Sequence, residues 1–350
     1  MLFRSISSIE LVRLFEELKL SFEVPQRFAN ARWIWKNGKW EPLPSGLMAA
    51  IKTPLFTFSD KLRILGEPFR KKGNNQNETL ADLVIRRMGR SFLDYAVDPF
   101  ISGIYAGDPA RLVTRYAMPK LYALEQNYGS FIKGSVAKAR QSKSADDRKV
   151  TKEVFSVKGG LSKLIDALVQ SVGDQNIRCN CAGIEVSKPQ EGLFTVNYSG
   201  ESLTAKTVIT TTGAASLPVL LPFLSEQEVE SFNKLIYAKV VQVAVGYSRW
   251  DGIPINAFGG LVPTAEKKEI LGILFPSALF EGRAPEQGAL LSVFMGGIKR
   301  PDLFDLSDER LQEIALTHVS EMMQPSGAPD LVKVFRYRKA IPQYDVSSGQ

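Results

Sequence analysis

Between Asp94 and Gly134 the chain reads DYAVDPFISGIYAGDPARLVTRYAMPKLYALEQNYGSFIKG, and this stretch limits the possible folds more than any other. Asp-Pro steps punctuate it at Asp98-Pro99 and Asp108-Pro109. Asp108 is placed to accept a backbone N–H as a helix cap. Pro109 suits a first helical position, where its missing N–H would be unpaired anyway. The spacing predicts a helix from there, with Leu112, Val113 and Tyr116 on one face. Ser102-Gly103 and Ala106-Gly107 twice remove side chains, so the backbone can come close to something bulky or flat. On spacing alone, a tight crossing of two helices accounts for them. A second turn is expected at Tyr128-Gly129-Ser130.

Ahead of this stretch, Ser7 or Ser8 opens an amphipathic helix carrying Leu11, Leu14, Phe15 and Leu18. Arg32 to Trp40 (RWIWKNGKW) predicts a hairpin, because Asn37-Gly38 supplies the two positive φ values of a two-residue turn. Leu47 to Leu65 is apolar but broken by Lys52, Lys61 and Arg63, and Arg70-Lys71-Lys72 follows. Two readings stay open for it: a contact with an anionic membrane surface, or a helix core flanked by solvated charge. No run approaches the ~20 apolar residues that span a bilayer, and Arg4 with a capped helix stands where a secretory leader would need an apolar core. Lys72–Glu78 reads as a loop, Thr79 with Asp82 as a helix start, and Gly89 as its end.

After a polar segment at Arg140–Thr151, expected to be a linker, the pattern changes. Phe155–Val157 reads as a strand end, Lys158–Gly160 as a turn and Leu161–Val172 as a helix. Strands are expected at Ile177–Val186, Leu193–Tyr198 and Thr204–Thr210, then at Val240–Tyr247, Phe258–Val262, Ile270–Phe275, Leu290–Met295 and Val332–Tyr337. This is a mixed α/β (α+β) pattern. The 350 residues carry a net charge of +7, which favours acidic partners. No cluster of cations and aromatics marks a nucleic-acid groove, so none is expected. Cys179 and Cys181 share a strand face and are expected to be buried free thiols. The one histidine, His318, sits on the apolar face of a helix at Asp308–Met323, which excludes multi-histidine metal centres and, elsewhere, Ser-His-Asp catalysis. No metal site and no catalytic side-chain set is expected. None of the 27 glycines has another two positions away, so the Gly-x-Gly of a dinucleotide-binding turn is absent.

Several motifs, in order, resemble those of the oxygen-dependent protoporphyrinogen oxidases, within the flavin monoamine oxidase-like superfamily. They are Gly107-Asp108-Pro109, Leu124-Glu125-Gln126, Gly129-Ser130, the piece from Phe155 to Leu168, Val208–Ala214, Leu271–Phe275, Arg283-Ala284-Pro285, Phe294–Gly297 and Ala340–Tyr344. The resemblance implies the start of a substrate domain at 1–46 and a helical membrane-associating insertion at 47–150. It implies the middle piece of an FAD-binding α/β domain at 151–215 and a substrate-binding mixed sheet at 216–350. FAD would be touched at Gly183, Ile184, Thr212 and Gly213. In the family valine is usual near Gly183, proline at Gly213 and tryptophan at Tyr337. The substrate would be held by Arg32, matching an arginine that pairs with a propionate, by Leu274 and Leu290 on either side of a pyrrole ring, and by the room left at Gly103, Ala106 and Gly107.

The activity so implied is oxidation of protoporphyrinogen IX, with FAD taking hydride and molecular oxygen reoxidising it. Coproporphyrinogen III oxidation is the alternative, and a membrane- or porphyrin-binding module without catalysis is another. The protein is expected to be cytoplasmic or peripheral on the inner face of the membrane, and a homodimer is compatible with the resemblance. The resemblance stops short of the family's first and last flavin-binding pieces. It therefore implies a fragment or a partner chain, and weak flavin binding by these 350 residues alone.

Overall fold

The structure, a computed structural model, describes residues 4–6, 8–29, 31–44, 49, 52–140 and 153–349. Two compact units divide the chain: Met1–Leu164 with Tyr237–Val346, and Ile165–Ile236 with Ser347–Gln350. The helix-rich part before residue 140 thus shares a unit with the large sheet. Of the linker expected at 140–151, only Arg140 lies within the described residues, closing a helix.

In the first unit, β1 (Arg4–Ser5), β5 (Val154–Val157) and β2 (Phe22–Glu23) form a small antiparallel sheet. Helix α1 (Ile9–Glu17) is capped by Ser8, which accepts the Leu11 N–H. Its Phe15 stacks on Phe22 and meets Phe155 edge-on. The main sheet has seven strands: β3 (Arg32–Lys36), β4 (Lys39–Pro42), β9 (Tyr237–Tyr247), β10 (Gly259–Leu261), β11 (Ile270–Leu274), β12 (Ala289–Gly296) and β13 (Leu331–Pro342). Their order is β13-β9-β12-β11-β10-β3-β4, antiparallel except between β10 and β3. The hairpin turns where expected, with Asn37 at φ 51° and Gly38 at φ 80°, and it forms one end of this sheet.

Strand alternation sorts the side chains onto two faces. Val241, Val243 and Val245 of β9 and Leu291, Val293 and Met295 of β12 are buried in one core with Trp35 and Ile273. The long helix at Asp308–Met323 adds Leu311, Ile314, Ala315, Val319 and Met322 to it. Each of the Val, Leu, Ile and Met side chains contributes roughly 1.5–3 kcal/mol by leaving water. His318 sits at this core's edge, 7% exposed. It accepts the Glu269 backbone N–H at 3.4 Å, and burial pushes its imidazole below the ordinary value despite Glu321.

The helical part comprises α2 (Phe58–Leu65), α3 (Leu80–Arg87), α4 (Asp98–Tyr105), α5 (Pro119–Tyr128) and α6 (Phe131–Ala139). Thr57 and Asp60 form a capping box for α2, and Thr79 accepts the Asp82 N–H to open α3. Gly129, at φ 69°, ends α5, and Ser130 opens α6. Leu80, Leu83, Val84, Ile101, Leu112 and Phe131 make the shared core. Beside it lies an ionic cluster removed from water. Arg87 donates to Glu67 at 2.5 Å, to Glu125 at 2.8 Å and to the Gly129 carbonyl at 2.8 Å. Ser130 and the Phe131 N–H also donate to Glu67, at 2.5 and 3.0 Å. Glu125 of Leu124-Glu125-Gln126, with Gly129-Ser130, is therefore part of a buried clamp that joins α3, α5 and α6.

Gly107-Asp108-Pro109 does not open a helix as the spacing suggests. Asp108 accepts the Ala110 N–H, a turn follows, and Val113 is extended. The reason is tertiary: the Val113 N–H donates to the Tyr344 carbonyl, and Thr79 bridges Val113. Helix resumes only at Thr114. Around Ser102-Gly103, the tight crossing is between a helix and the sheet, not between two helices.

In the second unit, β6 (Glu185–Val186), β7 (Phe194–Tyr198) and β8 (Glu201–Ala205) form an antiparallel sheet, and α7 (Ser162–Val172) belongs to it from Ile165 onward. The strand expected at Ile177–Val186 shortens to Glu185–Val186. The one expected at Thr204–Thr210 ends at Ala205. A strand is sustained by backbone partners, and among the described residues 207–212 find none; Ile209 is 84% exposed. Cys179 is exposed and Cys181 intermediate, and neither lies on a strand, so the expectation of buried thiols fails for the same reason.

Candidate functional site

The second face of the large sheet brings three of the expected substrate residues together. Opposite the buried valines, β9 presents Gln242, Ala244 and Gly246, all half-buried. Their partners continue the face outward to Phe335, Lys333 and Leu331 of β13, and inward to Phe294, Ser292 and Leu290 of β12. Next come Leu274 of β11, then Gly259 of β10, then Arg32 of β3. Arg32, Leu274 and Leu290, which lie far apart in the chain, thus share one face. Leu274 pairs with Ser292, and Leu290 lies two positions along the same strand, a diagonal distance that long side chains bridge. Both leucines are half-buried. Ser277 fixes the Leu290 backbone by accepting its N–H at 2.9 Å.

Arg32 is exposed, its guanidinium 5.3 Å from the Phe258 ring centre. Among the described residues it has no acidic partner. A guanidinium held over a ring with its donors unspent can take a carboxylate in two parallel hydrogen bonds. Sequence reasoning missed the polar chain in mid-face. Tyr337 Oη lies 3.5 Å from Gln242 Oε1, and Gln242 Nε2 donates to Ser292 Oγ at 3.1 Å. Only the register reveals it, since a lone Gln or Ser in an alternating strand carries no signal.

Helix α4 packs against β10 and β11 at one end of this face. Asp98 at its start accepts the Thr264 N–H at 2.8 Å and pairs with Lys299. Ala106, at its end, is left-handed (φ 49°), and its carbonyl accepts the Ile298 N–H at 2.8 Å. A side chain at Gly103 would run into Leu261, and one at Gly107 would lie 2.7 Å from Gln343 Oε1. The room at Gly103 and Gly107 is therefore filled by this protein's own Leu261 and Gln343, and Ala106 is buried against Ala238 and Val240. Gln343, within Ala340–Tyr344, donates to the Tyr105 carbonyl at 3.1 Å. Arg283 is likewise structural, donating to Glu23 and Ser156, both at 3.1 Å.

The sequence pattern of the family described as flavin containing amine oxidoreductase matches residues 1–348. The chain belongs to that family. It is 27% identical over 355 residues to the mitochondrial protoporphyrinogen oxidase of Nicotiana tabacum, covering 90% of this chain and 69% of that protein. With the human protoporphyrinogen oxidase it shares 28% over 368 residues, covering 96% and 74%. A crystal structure assigned as a protoporphyrinogen oxidase from an Exiguobacterium species superposes with a TM-score of 0.79 at 21% identity, over 99% of this chain and 76% of that one. Reduced UDP-galactopyranose mutase has the same fold at a TM-score of 0.71 and 14% identity, over 99% and 74%. The family is one of FAD-dependent oxidoreductases, and the mixed α/β fold is theirs.

The four residues expected to touch FAD lie in the second unit, on open backbone. Gly183 (φ 58°) and Gly213 have nothing within 4 Å of where a side chain would begin, Ile184 is 40% exposed and Thr212 is exposed. Bare, open backbone at two points lets a flat group approach closely. The turn that normally meets the pyrophosphate needs glycines two apart, and these residues have no such pair.

Proposed function

We propose that this flavoprotein oxidises a porphyrinogen, with protoporphyrinogen IX as the substrate and molecular oxygen as the final acceptor. One observation carries the reading: a half-open apolar sheet face with Leu274 and Leu290 side by side and an acid-free Arg32 at its edge. That chemistry suits a broad, apolar ring bearing carboxylate arms. Bound FAD supplies the hydride acceptor and hands the electrons on. This chain's part is to hold the macrocycle by burying it on the leucines and to fix its rotation by pairing a propionate with Arg32. The named relatives support protoporphyrinogen over coproporphyrinogen.

Arg32→Ala is expected to raise the dissociation constant for protoporphyrin IX roughly 10- to 100-fold, since a hydrogen bond to a charged group contributes about 1.5–3 kcal/mol. Soret-band titration reads it, and the dimethyl ester of the same porphyrin should be insensitive to the substitution. Equal affinities of the wild type and the variant for the free acid would remove Arg32 from the site.

A second feature supports attachment to a membrane surface. Phe58, Leu62 and Leu65 on α2 are 76%, 53% and 60% exposed, and Phe69 beyond it is 88% exposed. Leu55 and Phe56 turn inward, Phe56 stacking on Phe92, so the apolar segment is half core and half surface. Arg63, Arg70, Lys71 and Lys72 lie close to the exposed half in sequence. Among the described residues no helix is long and apolar enough to cross a membrane. The arrangement suits an interfacial helix on anionic lipid. The triple variant Phe58→Glu, Leu62→Glu, Phe69→Glu should lose flotation with phosphatidylglycerol vesicles while keeping its melting temperature. Retained flotation would place any lipid contact elsewhere.

A further inference from the structure

The row of residues that runs across the open face from Arg32 ends on a second cation. Register by register it passes Arg32, Gly259, Leu274, Ser292, Ala244 and Lys333. Lys333 lies on β13, the edge strand at the other end of the sheet from the β3–β4 hairpin. Its neighbours Val332 and Val334 pack into the buried core, so Lys333 faces with Leu331 and Phe335 toward the open side. It is exposed, and its ammonium lies 5.4 Å from the Phe335 ring centre. Among the described residues it has no acidic partner. The same device thus stands at both ends of one row: a cation resting on a phenylalanine ring, with no carboxylate to satisfy it.

We infer that Lys333 is a second carboxylate anchor, and that it sets how many acid-bearing edges of a flat ligand this face rewards. This rests on the reading of the face as a porphyrinogen site. Five inter-strand steps of about 4.8 Å put the two Cα atoms on the order of 24 Å apart. Swung off its ring and reaching inward over four to five bonds of about 1.5 Å, each side chain would take up roughly 6 Å, bringing the charges to on the order of 12 Å apart. A small acid cannot touch both. A flat macrocycle lying on Leu274 and Leu290 with carboxylate arms on opposite edges can. A macrocycle with both arms on one edge engages Arg32 alone. Lys333 is therefore a positioning and specificity residue for tetracarboxylates and is neutral for dicarboxylates whose acids share an edge.

The test is Soret titration of the full chain with two probes, coproporphyrin III, whose carboxylates lie on all four rings, and protoporphyrin IX, whose two lie on adjacent rings. Lys333→Gln should weaken coproporphyrin binding about tenfold and change protoporphyrin binding less than twofold, and Lys333→Arg should restore the former. Arg32→Ala should weaken both. Equal weakening of both probes by Lys333→Gln, or no change in either while Arg32→Ala still weakens them, would overturn the anchor and leave the site intact. Failure of the wild type to bind either probe would overturn the porphyrinogen reading and the anchor with it. Lys333 is exposed, so an unchanged thermal melt in Lys333→Gln is the fold control.

Discussion

Arg87→Met is expected to lower the unfolding free energy by about 3–5 kcal/mol, the cost of leaving a buried charge without its partner. The side chains of Arg87, Glu67 and Glu125 are 0%, 0% and 1% exposed. Arg86 shares Glu125 at 2.9 Å and pairs with Glu78 at 2.7 Å. Without Arg87, Glu67 keeps only Ser130 and two backbone N–H groups inside a water-free pocket. The change should appear as a lower urea midpoint, followed by circular dichroism. Pairing Arg87→Met with Glu67→Gln should recover part of the loss, because the stranded charge is gone. A single-variant effect below about 1 kcal/mol, as for a surface pair, would show that water reaches the cluster.

The same cluster sets an acid limit. Burial alone would raise the Glu67 carboxyl, but hydrogen bonds from Ser130, Phe131 and Arg87 outweigh it and hold it below the ordinary carboxylate value. Glu125 is held low in the same way, burial being overcome by Arg86, the Gly73 N–H and Arg87. A carboxylate depressed in the folded state contributes stability that is full above its unfolded value and is lost as pH falls through the folded one. The helical part should therefore loosen below the ordinary carboxylate range.

Much of this fold was legible along the chain, and what escaped has one physical cause. Local signals carried through: Ser8 and Thr79 as caps, Asn37-Gly38 as a turn, and the alternation of β9 and β12. Signals that depended on distant partners did not. Asp108-Pro109 has every local mark of a helix start, yet Tyr344 holds Val113 extended. Residues 204–210 have strand composition, and only Thr204 and Ala205 find a backbone partner. At the site, Arg32, Leu274 and Leu290 were named from resemblance, and the register then placed them on one face. Gly103 and Gly107 were named for the room they leave, and Leu261 and Gln343 occupy it. Lys333 reads as any solvent lysine on an edge strand until its row is traced back to Arg32.

Leu274→Asp is the second large effect expected. Leu274 is half-buried at the centre of the open face, so an aspartate there keeps access to water and should leave the fold in place. It removes an apolar contact of about 1.5–3 kcal/mol, and ligand affinity should fall roughly 10- to 100-fold. Its charge also opposes any ligand acid beside it, which adds to the loss.

The most direct measurement is the Soret titration of protoporphyrin IX onto the wild type and onto Leu274→Asp, each first shown to melt at the same temperature. A sheet face that carries the macrocycle predicts saturable binding to the wild type and a loss of at least tenfold in the variant. Saturable binding of equal strength to both proteins would contradict it, because the porphyrin would then be held away from the face where Arg32, Leu274 and Leu290 meet.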